Sequence, residues 1–151
     1  MIIDSHCHLE YEPMSLDLTE TISRANKDGV KFLLTISTTD NSLKKILKIT
    51  SDFNCVYGTY GIHPHEAKNY KHIKSDEIIN KVNSSKKIIG IGETGLDFYY
   101  NHSEKKDQMD CFEEHINAAQ SSNLPLIVHT RSAENETLEL LKKKKKEKDF
   151  K

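Results

Sequence analysis

The chain has 151 residues, of which 36% are hydrophobic and 30% charged, with a formal net charge of −1. That length supports one ordinary domain, and no apolar run approaches the roughly 18 residues that a membrane-spanning helix needs. The charge is uneven: Lys142 to Lys151 holds seven Lys against Glu147 and Asp149, or +5, which leaves −6 on the rest and gives the folded part no basic footprint for nucleic acid.

Strand-like and helix-like patterns alternate from the N-terminus. Met1 to Ser5 reads as a strand, and Leu18, Ile22 and Ala25 mark one face of a helix over Ser15 to Asp28 that stops at Gly29. Lys31 to Ser37 is the second strand, followed by a helix from about Asn41 with Leu43, Ile46 and Leu47 inward. A third strand over Val56 to Ile62 leads to a helix near Ser75 that uses Ile78, Ile79 and Val82. Strand four is Lys87 to Gly92, and helix four, Ser103 to Ser121, places Met109, Phe112, Ile116 and Ala119 at spacings of three and four. Strand five is Leu124 to Val128, and a fifth helix begins near Ala133 and dissolves into the Lys run. Continuous apolar stretches in strands two, four and five fit a parallel sheet covered by helices. Five βα units suit an open doubly wound sheet or an incomplete barrel, and periodicity does not separate the two.

Chemistry concentrates where these strands end. His6 and His8 follow strand one at alternate positions, so their imidazoles can share a face and one cation. Glu93 follows strand four between Gly92 and Gly95, and a carboxylate at the C-terminal end of a barrel strand reads as catalytic. Asp97, four residues on, reads first as a loop cap and second as a contact to the site. His129 ends the run Leu126-Ile127-Val128, which repeats on the next strand the placement of Glu93. His63 and His65 flank Pro64 after strand three and suit a substrate or phosphate contact as well as a rigid turn. Arg131, one of two Arg, lies just past the rim and suits a phosphate contact or a salt bridge. His72, His102 and His115 read as surface or packing residues. Cys7, Cys55 and Cys111 form no C-x-x-C pair, and their odd number fits reduced thiols. With the early polar residues Asp4 and Ser5 opposing a signal peptide, the expected location is the cytoplasm.

Four ordered motifs resemble the signatures of TatD-type deoxyribonucleases. They are Ile3-Asp4-Ser5-His6-Cys7-His8-Leu9, Gly61-Ile62-His63-Pro64-His65, Ile91-Gly92-Glu93-Thr94-Gly95-Leu96-Asp97 and Pro125-Leu126-Ile127-Val128-His129-Thr130-Arg131. Gln108, Phe112 and His115 resemble the helix pattern between the last two. The resemblance implies an incomplete (β/α)8 TIM-type barrel over residues 1–141, with a Lys-rich tail over 142–151. It implies a hydrolase that cuts DNA phosphodiester bonds with two divalent cations, Zn²⁺, Mn²⁺ or Mg²⁺. His6 and His8 would hold one cation, Glu93 would bridge both and serve catalysis, and His129 would hold the second. The family's two later ligands, a His and an Asp, have no match here. A full barrel runs to about 250 residues, so the chain reads as truncated, weakly active or inactive, with the Lys run marking a broken frame. Rival readings are a non-catalytic fragment or half of a split protein, self-associating through open sheet edges, and a metal-dependent hydrolase of another ester or amide.

Overall fold

Short apolar runs become strands and amphipathic runs become helices in the computed structural model, which describes residues 1–100 and 102–151. The strands are β1 (Ile2–Cys7), β2 (Val30–Thr35), β3 (Val56–Tyr60), β4 (Ile88–Asp97) and β5 (Leu126–Arg131). The helices are α1 (Leu18–Lys27), α2 (Asp40–Asp52), α3 (Ser75–Val82), α4 (Lys105–Ser122) and α5 (Glu134–Glu147). Two 3-10 segments, Met14–Asp17 and Pro64–Asn69, lie before α1 and after β3.

All four strand pairings are parallel, and the order in the sheet is β1-β2-β3-β4-β5. A doubly wound sheet reverses its order at a switch point. No reversal occurs among the described strands, so the sheet curls one way as five βα units of an incomplete (β/α)8 barrel. Parallel pairing also brings every C-terminal strand end to one rim.

The helix side of the sheet is packed in three clusters. Leu9, Ile22, Leu33, Ile49 and Val56 form one under α1 and α2. Tyr60, Ile62, Ile78, Ile88 and Ile91 belong to the central one. Leu96, Phe112, Ile116, Ala133 and Leu140 form the third, between α4 and α5. The opposite face is the barrel interior, and it is open. Ile3 is 56% exposed there, and with Phe32, Leu34, Tyr57 and Ile89 it lines an apolar groove of about 280 Å³.

Three elements depart from the sequence expectation. Strand four does not stop at Gly92; β4 runs on to Asp97 because Gly92 and Gly95 take φ of +130° and +139°, which keeps the chain against β5 with Thr94 opposite Val128 and Gly95 opposite His129. β5 likewise continues through His129 to Arg131. The fifth helix does not dissolve at Lys142. It continues to Glu147 because Lys144 turns inward, 7% exposed, with its stem against the protein and its ammonium 2.7 Å from Glu147 and 3.4 Å from Glu113. Gln120 donates to the Lys144 carbonyl at 2.8 Å. Phe150 packs on the third cluster, and the Lys151 carbonyl accepts from Leu126 N–H at the edge of β5. Residues after 141 therefore have packed places on the barrel.

Candidate metal centre

The site is assembled from three strand ends and the turn after β3. On β1, His6 N–H donates to Asp4 Oδ1 at 3.1 Å. His8 Nδ1 lies 3.0 Å from the Ile36 carbonyl and 3.3 Å from Glu10 Oε1. The carbonyl can only accept, so Nδ1 carries the proton and Nε2 keeps its lone pair toward the rim. Glu10 is 1% exposed and accepts from Thr35 Oγ1 at 2.7 Å, and that hydroxyl accepts from Leu9 N–H at 3.0 Å. This buried carboxylate stands behind His8 where an outer partner would orient the imidazole toward a cation. Its hydrogen bond raises the His8 pKa against the opposing effect of burial.

Glu93 is the centre of the cluster. Its backbone N–H donates to the Ser37 carbonyl at 2.9 Å, which pins β4 beside the end of β2. Its two carboxylate oxygens face different partners: Oε2 lies 3.6 Å from His6 Nε2 and 4.0 Å from His8 Nε2, while Oε1 lies 3.0 Å from His129 Nδ1. Burial pushes its pKa up, but the His129 hydrogen bond and the nearby His63 and His6 rings outweigh that and leave it lowered. The ligand atoms of His6, His8 and Glu93 lie within 4.8 Å of one another, and so do those of His63, Glu93 and His129.

His129 lies between two carboxylates, because its Nε2 is 3.2 Å from Asp97 Oδ2. Asp97 is fully buried, and although burial opposes ionisation, hydrogen bonds from Tyr100 N–H, His65 and His129 hold its pKa down at about 2. A neutral His129 that donates from Nε2 to Asp97 turns its Nδ1 lone pair on the Glu93 carboxylate. Two electron-rich atoms then face each other at 3.0 Å, an arrangement that a proton or a metal cation between them stabilises. The donor set therefore fits a divalent cation. Imidazole and carboxylate together suit Zn²⁺ or Mn²⁺, while Mg²⁺ favours oxygen.

The structure thus brings His6, His8, Glu93 and His129 together, and adds His63. Burial lowers the His63 pKa to about 4, so its ring is neutral, and its Nδ1 accepts from His65 N–H at 3.2 Å. His65 turns away from the cluster centre: its Nε2 is 2.7 Å from Asp97 Oδ2. Arg131 pairs with no carboxylate among the described residues; its guanidinium lies over the Tyr99 and Tyr100 rings, at 5.8 and 5.2 Å from their centroids. His8, Thr38, His63, His65 and Glu93 border a cleft of about 330 Å³.

Asp97, which the sequence allowed as a cap or a site contact with the cap favoured, does both jobs: Oδ1 accepts from Tyr99 and Tyr100 N–H while Oδ2 holds the two imidazoles. Gln108 and His115 were legible in principle. Gln108, Cys111, Phe112, His115, Ile116 and Ala119 are the buried stripe of α4, and polar members of such a stripe need partners. Gln108 Oε1 accepts from Asp97 N–H at 2.8 Å. His115 donates from Nδ1 to the Cys111 carbonyl at 2.8 Å and accepts from Ile62 N–H at 3.1 Å, which fixes the turn that carries His63. Burial lowers its pKa to about 4, as that neutral tautomer requires. His72 and His102 are exposed, with His102 stacked on Tyr100. Glu10 had no sequence signal.

Parallel βα units with clustered His and Glu at one rim fit the metal-dependent hydrolase class of proteins. The family model described as TatD related DNase matches residues 3–150, and the chain belongs to that family. It is 35% identical to an uncharacterised metal-dependent hydrolase of Buchnera aphidicola, over 97% of this chain and 59% of that protein. It is 29% identical to the 3'-5' ssDNA/RNA exonuclease TatD of Salmonella typhimurium, over 93% of this chain and 54% of that one. Among solved structures, the TatD homologue YjjV of Escherichia coli superposes with a TM-score of 0.82 at 25% identity, over 95% of this chain and 56% of that chain. The chain spans about half the length of the curated relatives it matches.

Proposed function

We propose that this chain carries the first part of a two-cation site that hydrolyses DNA phosphodiester bonds. The observation that carries the reading is the division of the Glu93 carboxylate, one oxygen toward His6 and His8 and the other toward His129. His6, His8 and Glu93 would hold one cation, and Glu93 and His129, with His63 beside them, the other. Cations there would supply charge against the phosphoryl oxygens and acidify a water. Glu10 orients His8, Asp97 orients His129 and His65, and Arg131 offers its exposed guanidinium to a neighbouring phosphate. The free thiols of Cys7, Cys55 and Cys111 support a reducing, cytoplasmic setting. No helix among the described residues is long and apolar enough to cross a membrane.

The test is calorimetric titration of the metal-free chain with Mn²⁺ and with Zn²⁺. Saturable binding is expected, weakened at least about tenfold by His8→Ala. No binding, or equal binding by that variant, would sink the reading. The resemblance implies two further ligands beyond the motifs present here, so the 151-residue chain alone is expected to cut single-stranded and duplex DNA slowly. Fast cleavage abolished by Glu93→Gln would show that the residues present suffice.

The open inner face favours a second reading beside the first. β1 and β5 are the two edges of the sheet, and the apolar groove between Ile3 and Ile89 lies uncovered. Unpaired edges and exposed apolar surface promote association. Sedimentation of the purified chain is expected to show a concentration-dependent shift above the monomer; a monomer at all concentrations would count against it.

A further inference from the structure

Directly after Asp97 the chain exposes two large aromatic rings beside the cation site. Tyr99 is 65% and Tyr100 42% exposed. Their backbone N–H groups are both held by Asp97 Oδ1, at 3.1 and 3.0 Å, and the other oxygen of that carboxylate holds His129 and His65. Phe98 N–H donates to the Arg131 carbonyl at 2.9 Å, which fastens the same segment to β5. The pair therefore stands at a fixed position relative to the rim, tied to the residues that orient the imidazoles.

The two rings have different surroundings. Tyr100 is hemmed in: it stacks on His102 at 5.7 Å and 24°, meets His65 edge to face at 5.6 Å, and has Arg131 above it. Tyr99 meets the Tyr100 ring at 4.8 Å and 86°, with Arg131 to one side, and leaves most of its surface in solvent. A braced aromatic beside an exposed guanidinium that pairs with no carboxylate among the described residues is the chemistry that holds one base and one phosphate. Arg131 lies two residues past His129 on β5, so it shares the face of the strand that meets the cation site. A base on Tyr99 would thus belong to a nucleotide beside the one whose phosphate is cut.

We propose that Tyr99, braced by Tyr100 and flanked by Arg131, is a stacking subsite for an unstacked nucleobase of a single-stranded nucleic acid. The nuclease assignment rests on the reading above; the stacking itself does not. Every base has a π-face, so the subsite tolerates any sequence, while a duplex, with its bases already stacked, gains nothing from it.

Binding can be read without cleavage, by fluorescence anisotropy of a short labelled oligothymidylate in EDTA. Tyr99→Ala is expected to weaken binding about tenfold, and Tyr99→Phe, which keeps the stacking face, to restore it. Arg131→Ala is expected to lower the slope of affinity against salt by about one. A duplex of the same length should bind Tyr99→Ala and the wild-type chain alike. The subsite is overturned if Tyr99→Ala binds the oligothymidylate as tightly as wild type, or if Tyr99→Phe loses as much as Tyr99→Ala. Mn²⁺ titration of the same proteins separates the two readings. Wild type that fails to bind Mn²⁺ while oligothymidylate binding still depends on Tyr99 refutes the cation site and supports the subsite. Mn²⁺ binding with no Tyr99 dependence refutes the subsite alone.

Discussion

Glu93→Gln is expected to lower divalent-cation affinity by more than about 100-fold and to leave the fold in place. Removing an outer partner of a metal ligand costs about 10–100-fold, and among the described residues Glu93 alone belongs to both clusters of imidazoles. Glutamine matches it in shape and keeps the backbone bond to the Ser37 carbonyl, so β4 stays registered beside β2. What disappears is the negative charge between His6, His8 and His129. Mn²⁺ titration and a urea melt read the two effects separately. Affinity within a few-fold of wild type would mean that Glu93 is not the bridging group.

The second large effect is expected from Gly95→Ala, at about 2–6 kcal/mol of lost stability. Gly95 has φ of +139°, a region that side chains disfavour, and a Cβ there would collide with the His129 carbonyl oxygen. That oxygen is backbone on the paired strand, so relief requires β5 to move away from β4. The same movement draws the His129 ring from Glu93 and Asp97, so cation affinity should fall together with the urea midpoint. An unchanged midpoint would show that the strands can separate there without cost. Gly92 is similarly placed against the Ile127 carbonyl, so the tight backbone on both sides of Glu93 is a condition of the site and not only of the sheet.

The alternation of strands and helices was legible because each element keeps its period over several residues, as Leu43, Ile46 and Leu47 do in α2. His6, His8, Glu93 and His129 stood out because each follows an apolar run, where a parallel sheet gathers its strand ends. Barrel and open sheet were not separable, since strand order is a long-range property that no local pattern records. The end of β4 was hidden because Gly92 and Gly95 read as a turn, while the structure uses them to continue beside β5. Glu10 lies in a polar stretch two residues past His8, and its burial depends on Thr35, which is distant in sequence. The Lys run misled for a different reason: residue type says that an ammonium stays wet, but the long stem of Lys144 can be buried while its charge is paired.

The three separate clusters on the helix side have a consequence for exchange kinetics. β1 reaches the first cluster through Cys7, while β5 packs through Leu126 on the central and third clusters, so the β1 end of the sheet is anchored apart from the β5 end. Separately packed units open separately, each with its own free energy. β1 pairs with β2 alone, along one edge, and Ile2 and Ile3 are more than half exposed, so it is weakly held. A cation held jointly by His6, His8 and Glu93 would tether β1 to β4 across the two strands between them. Occupancy would then slow amide exchange at β1 and α1, far from most of its own contacts, while β3 and the central cluster would change little. The cation would act as a cross-strand rivet, and the region it protects would be an edge that the protein alone holds weakly.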